Sequence, residues 1–89
     1  MAKIYKTNGT VVEVKPKNGK DFKLEELQAI VGGYIEVLPI NNKEVLVCDE
    51  EGKLKGYPLN ITATDIVQSN GISDYIVGDV LICDNEQVK

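Results

Sequence analysis

The chain has 89 residues, 43% hydrophobic and 27% charged, with a formal net charge of −4 and no histidine. Residues 1–89 read as a single domain of ordinary soluble composition, because cutting the chain in half would leave pieces below the ~50 residues that domains usually need. No apolar run approaches the ~20 residues that span a bilayer, and the start "MAKIYKTNGT" carries no apolar signal core, so no membrane partner and a cytoplasmic location are expected.

In chain order, "KIYKTNGTVVEV" is two β-prone runs around Asn8-Gly9. Asn-Gly between such runs predicts an antiparallel hairpin of residues 3–7 with 10–15, because both central residues tolerate positive φ. Pro16 lacks a ladder donor and ends the second strand. "DFKLEELQAIVGG" predicts a short helix whose apolar stripe is Leu24, Leu27, Ile30 and Val31. Glu25 and Glu26 suit its positive end, and Phe22 can staple onto Leu27 if Lys23 is the N-cap. Lysine is a poor cap, so Asp21 is the alternative, one turn earlier. Gly32-Gly33 stops the helix.

"YIEVLPI" and "EVLVCDE" predict a second hairpin, residues 34–40 with 44–49. "EEGK" is a turn, and "LKGYP" is a short edge strand or a loop. "NITATDIVQSNG" predicts a second helix capped by Asn60, with Ile61, Ile66 and Val67 apolar and Asn70-Gly71 at its end. "DYIVGDVLICD" closes with a strand near 79–83. The order is ββαββ(β)αβ. It predicts an α+β domain, a small antiparallel sheet of hairpins with two short helices, both expected on one face. Cys48 and Cys83 fall in strand-like runs and are expected as buried free thiols. Two cysteines without histidine argue against zinc.

Charge is unevenly spread. Residues 1–23 hold six lysines against Glu13 and Asp21, a net of +4, and residues 24–89 hold four lysines against twelve acids, a net of −8. With no arginine and an acidic remainder, duplex nucleic acid is not an expected partner. A small anionic ligand remains allowed. In so short a chain a sizeable pocket forms more easily between subunits, which points to a homo-oligomer.

Catalytic groups are sparse. Ser69 and Ser73 lie beside turns without a base, and no glycine-rich phosphate motif appears. Asp49, Glu50 and Glu51 could gather a divalent cation, with Glu36 completing a metal-dependent phosphodiesterase, but acids at a turn are usually just solvated. No catalytic residue, cofactor or metal is assigned. Candidates for binding are better. Lys15, Lys17 and Lys20 surround the Asn18-Gly19 turn in "KPKNGK", where backbone N–H groups can form an anion nest beside a helix start. Tyr34 follows two glycines and could stack a base. Glu36 stands in an apolar strand, where it rims a site or marks the solvent side. Asn41 and Asn60 are amides able to read a base or ribose edge, although turn formation explains them equally well.

The stretches "LEELQAIVGGYIE", "DEEGKLKGYPLN" and "IVGDVL" resemble a family of small phage, prophage and mobile-element domains catalogued as a domain of unknown function. The resemblance covers roughly residues 8–84. One departure is Lys23, where such sequences often have threonine before "LEELQ". The resemblance implies a phage or mobile-element origin and no established enzyme activity. By analogy of class it suggests an anti-defence sponge, an oligomer that sequesters a nucleotide immune signal of the cyclic ADP-ribose type without catalysis. Lys15, Lys17 and Lys20 would then pair with pyrophosphate and Tyr34 would stack adenine. Asn18, Asn41 or Asn60 would bond ribose or base. The alternative is an acidic inhibitor that binds a host defence protein directly.

Overall fold

The computed structural model describes residues 2–88. Strands β1 (Ala2–Tyr5) and β2 (Val11–Val14) precede helix α1 (Leu24–Val31). Strands β3 (Ile35–Pro39) and β4 (Glu44–Asp49) follow, then helix α2 (Ile61–Ser69), β5 (Val80–Asp84) and a 3-10 turn over Asn85–Gln87. The five strands form one sheet in the order β2-β1-β5-β4-β3, every neighbour antiparallel. The domain is α+β, as expected. The "LKGYP" segment is not a strand: residues 50–56 are turns, and Leu59 makes one isolated antiparallel bridge to Val77, outside the five strands.

The helices do not share a face. Val45, Val47, Leu81 and Cys83 pack with Leu27 and Val31 of α1, whereas Leu46, Val80 and Ile82 pack with Ala63 and Val67 of α2. Successive strand side chains alternate between faces, so β4 and β5 are apolar on both. A strand with no polar face must be covered twice, and each helix takes one side. Cys48 and Cys83 are free thiols, and strand alternation puts them on opposite faces, out of reach of each other.

The first hairpin turns through three residues rather than two. Gly9 N–H donates to Lys6 O at 3.0 Å, Lys6 N–H to Thr10 O at 2.9 Å, and Gly9 alone takes positive φ, at 91°. Asn8 stays in ordinary space because its Oδ1 accepts from Thr10 N–H at 2.9 Å, which fixes a type I turn followed by a glycine bulge. In α1, Phe22 and Leu27 lie in one buried cluster, as the staple requires. Leu24 is 53% exposed and leaves the stripe, since the inward face of so short a helix is Leu27 and Val31. Pro39 is tolerated within β3 because β3 is an edge strand, where its missing donor faces away from β4.

Asn60 is the N-cap of α2 and is fully buried. Its Oδ1 accepts from Ala63 N–H at 3.0 Å, while Nδ2 donates to Tyr5 O at 2.8 Å and Gly78 O at 2.9 Å. One side chain thus ties the helix start to the end of β1 and to the turn before β5. Aspartate caps a helix equally well but has no donors. Asn60→Asp is therefore expected to cost about 3 kcal/mol or more at neutral pH, from a buried charge facing two carbonyl oxygens. Urea midpoints of the two proteins measure it.

Candidate functional site

The basic loop is satisfied from within. Gly19 N–H closes the turn on Pro16 O at 3.0 Å, and Asn18 Oδ1 accepts from Lys20 N–H at 2.8 Å and Asp21 N–H at 3.0 Å. Asn18 Nδ2 donates to Asp21 Oδ1 at 2.8 Å. The Glu26 carboxylate accepts from Lys17 N–H at 3.0 Å and from Lys23 N–H at 2.8 Å. An anion does sit among these backbone donors, and it is the chain's own. Those N–H groups hold the Glu26 carboxyl below its ordinary range, with the charges of Lys17 and Lys23 adding to the effect. Lys23 is the N-cap and makes no side-chain cap bond, and Glu26 at the third helical position supplies the reciprocal half of a capping box by accepting from the Lys23 N–H. The ammonium groups of Lys15, Lys17 and Lys20 belong to exposed residues and line none of the principal concavities.

A second polar centre forms at the other end of α1. The Asp49 carboxylate is buried: Oδ2 accepts from Lys55 Nζ at 2.8 Å and from the Tyr57 hydroxyl at 2.9 Å, and Oδ1 from Glu51 N–H at 2.8 Å. Burial alone would raise its pKa, but these three donors outweigh burial and lower it. Two glycines let the group close. A Cβ on Gly33 would lie 2.7 Å from Lys55 Nζ and 2.8 Å from Asp49 Oδ2, and one on Gly78, at φ 77°, would lie 2.6 Å from the Tyr57 ring. The three stretches that carry the family resemblance meet here, around Tyr57.

Two concave surfaces flank this centre. One, of about 320 Å³, is lined by Thr7, Ile30, Tyr57, Pro58 and Asp79, with Asp79 Oδ1 accepting from Thr7 N–H at 3.0 Å. The other, of about 520 Å³, lies between Gln28, Gly32, Gly33, Tyr34, Glu51 and Lys55. Tyr34 is 69% exposed at its rim. A third, narrower groove of about 170 Å³ opens on the α2 face beside β3, lined by Glu36, Cys48, Glu50, Lys53, Asp74 and Tyr75 among others. There Lys53 Nζ pairs with Asp74 at 2.8 Å and lies 4.0 Å from the Tyr75 ring centre.

The candidates from sequence are therefore dispersed. Lys15, Lys17, Asn18 and Lys20 share one loop at the start of α1, Tyr34 lies beyond its end, and Glu36 is in the groove. Asn41 organises the β3–β4 turn: its Oδ1 accepts from Lys43 and Glu44 N–H, each at 2.9 Å. Asn60 is spent inside the core. Missed from sequence were Gln28, Lys55 and Tyr57; the signal for the last two was "DEEGKLKGYPLN", whose spacing brings Asp49, Lys55 and Tyr57 back onto one turn.

Neither thiol is activated. Burial, and then the Glu36, Asp49 and Asp74 carboxylates, push the Cys48 thiol up to about 11. Burial, with Asp84 next, does the same for Cys83, also to about 11. Thiols this weakly acidic stay protonated at neutral pH. Among the described residues no three acids, cysteines or histidines are grouped to hold a metal, and Asp49 turns inward, away from exposed Glu50 and Glu51.

Fold and polar centre together define a small three-layer α+β domain, its family-specific turns packed around one glycine-lined tyrosine. Residues 4–88 match DUF3846, described as a domain of unknown function, and the chain belongs to that family. No curated protein and no solved structure matches the chain.

Two outcomes are expected. Glu26 is a depressed acid, so its contribution to stability is complete above pH 4.5, its ordinary value, and is lost as pH falls through the lower folded-state value. Glu26→Gln should lower the urea midpoint at pH 7, with the deficit shrinking in that acid window. Gly78→Ala should cost about 2–4 kcal/mol, from the clash with Tyr57 and the left-handed backbone, in the same assay.

Proposed function

We propose that this domain is a non-catalytic binding protein that sequesters a nucleotide-type signal, its base stacked on Tyr34. The observation that carries the reading is the 69% exposed Tyr34 ring at the rim of a concavity of about 520 Å³. Glycines 32 and 33 form part of its wall, their side-chain space taken by Tyr57, Lys55 and Asp49, and the Gln28 amide can read a base edge. Lys55 supplies a cation for a phosphate, in competition with Asp49. Weakly acidic thiols and a fully engaged Asp49 support a binding role over a catalytic one.

The lysines of residues 15–20 lie beyond the opposite end of α1, a helix about 12 Å long for eight residues at 1.5 Å each. A nucleotide held at Tyr34 would meet the loop of a second subunit more easily than its own, and the reading therefore includes a homo-oligomer. A phage or mobile-element product acting in the host bacterial cytoplasm fits this role.

A second reading, direct inhibition of a host defence protein, is favoured by the groove beside β3, where Glu36, Glu50 and Asp74 converge. A metal-dependent phosphodiesterase built on Asp49, Glu50 and Glu36 is not favoured, because the Asp49 oxygens are already bonded.

Titration calorimetry against cyclic ADP-ribose variants and cyclic dinucleotides tests the first reading. Binding near ~10 nM, about −11 kcal/mol, is expected for one member, and no binding tighter than about micromolar overturns it. Tyr34→Ala should weaken the interaction at least about tenfold, the scale of one stacking contact, while changing stability by less than about 0.5 kcal/mol.

A further inference from the structure

We propose that the free edge of β3 accepts an extended, basic segment of a partner protein as a further strand. Lysine or arginine side chains of that segment would enter the acidic groove on the α2 face. The inference rests on the second reading above, in which the domain binds a protein, and it specifies the mode of binding.

The sheet ends at β3. Hydrogen-bonded and non-bonded pairs alternate along an antiparallel ladder. Ile40 N–H donates to Glu44 O at 2.9 Å and Glu50 N–H to Tyr34 O at 2.8 Å. With the register Glu36↔Cys48 and Leu38↔Leu46, these bonds set the phase: Tyr34, Glu36, Leu38 and Ile40 bond toward β4. The N–H and C=O groups of Ile35 and Val37 then point outward, as does the C=O of Pro39, and they have no backbone partner among the described residues. Such an edge is a template for another strand unless it is blunted. Pro39 removes a donor at its far end, and Glu36 is the strand's one charged side chain, which disfavours acidic strands there.

Charge and shape narrow the occupant. Directly beside the edge, on the α2 face, lies the groove that holds Glu36, Glu50 and Asp74, with Lys53 its only lining cation. Lys53 is already paired with Asp74, while Glu36 and Glu50 have no ion-pair partner among the described residues. Leu54, 87% exposed, and Tyr75, 50% exposed, stand at the rim as apolar contacts for lysine or arginine stems. An added strand presents every second side chain to that face, so alternating basic residues match the groove and main-chain bonds supply affinity. At the other edge, β2 turns outward Val11 and Glu13, and no principal concavity is lined by either.

The probe is a terminally blocked peptide of about six residues alternating lysine with valine, with a glutamate–valine peptide as control. Fluorescence anisotropy reads binding, and amide hydrogen exchange reads Ile35 and Val37. The lysine peptide is expected to bind saturably and slow exchange at both amides. Val37→Pro removes an outward donor and no ladder bond; it and the Glu36→Lys, Glu50→Lys pair should each weaken binding at least about tenfold, with thermal melting checking the fold. Binding lost on charge reversal but kept by Val37→Pro, without amide protection, overturns strand addition and leaves the protein-binding reading standing. Equal binding of the glutamate peptide overturns the basic occupant. Absence of saturable binding by the lysine peptide overturns the inference.

Discussion

Two adjacent strands in the middle of the sheet have no solvent face. In β4 and β5, Val45, Leu46, Val47, Val80, Leu81, Ile82 and Cys83 are all buried, and they alternate between two cores. Exposing either face would cost several side chains at roughly 1.5–3 kcal/mol each, so the chain must supply a helix to each. The connections between strands provide them. The β2–β3 crossover lays α1 on one face, and the β4–β5 crossover lays α2 on the other. The hairpin strands β2 and β3 are then left as edges, and their polar and charged residues face water. Where the molecule can bind anything is thus decided by its most apolar segment.

Loops around that sheet are anchored by buried apolar residues such as Phe22, Ile40 and Ile76, and are tied to one another by two polar side chains. Asn60 bonds three separate segments at once, and Asp49 gathers Lys55, Tyr57 and the Glu51 amide. Both are buried, and buried polar groups are tolerable only when fully bonded. The glycines at 33 and 78 serve the second centre by letting backbone come within a side chain's width of it. The concave surfaces lie on either side of this packed centre, so the family's shared turns define the shape of the candidate sites as well as the stability of the fold.

Elements governed by local rules were legible in the sequence. Both hairpins, both helices and the Asn60 cap follow from turn chemistry, apolar spacing and capping, which act over a few residues. What was not legible depends on long-range pairing. "VLVC" and "VLIC" are continuous apolar runs, the pattern of strands covered twice, yet the antiparallel hairpins suggested a one-sided sheet and both helices on one face. The type I turn at Asn8 was hidden because Asn-Gly fits two loop lengths, and the Asn8 side-chain bond to Thr10 decides between them. The candidate site was less legible. Each residue had a plausible binding chemistry, but Asn60 is 55 residues from Tyr5, whose carbonyl it satisfies, and no spacing rule anticipates that bond.

"KPKNGK" shows the same limit from the side of charge. Its lysines and turn have the composition of an anion nest, and the fold does bring a carboxylate to its backbone. That carboxylate is Glu26, nine residues from Lys17 along the chain, so it acts at the high effective concentration of an intramolecular partner, of millimolar order or above. An outside phosphate must displace it or be content with the lysine ammonium groups, which are solvated and worth little singly. Tight binding at this loop alone is therefore disfavoured, whatever its sign of charge. Selectivity has to come from surfaces whose groups are not already paired, such as the Tyr34 ring and the outward backbone of β3 beside Glu36 and Glu50. The positive and negative parts of the sequence are separated in the fold along the sheet, with the lysine loop following one edge strand and the carboxylate groove beside the other. Long-range attraction at one end and close-range bonding at the other is a division that the net charge of −4 conceals.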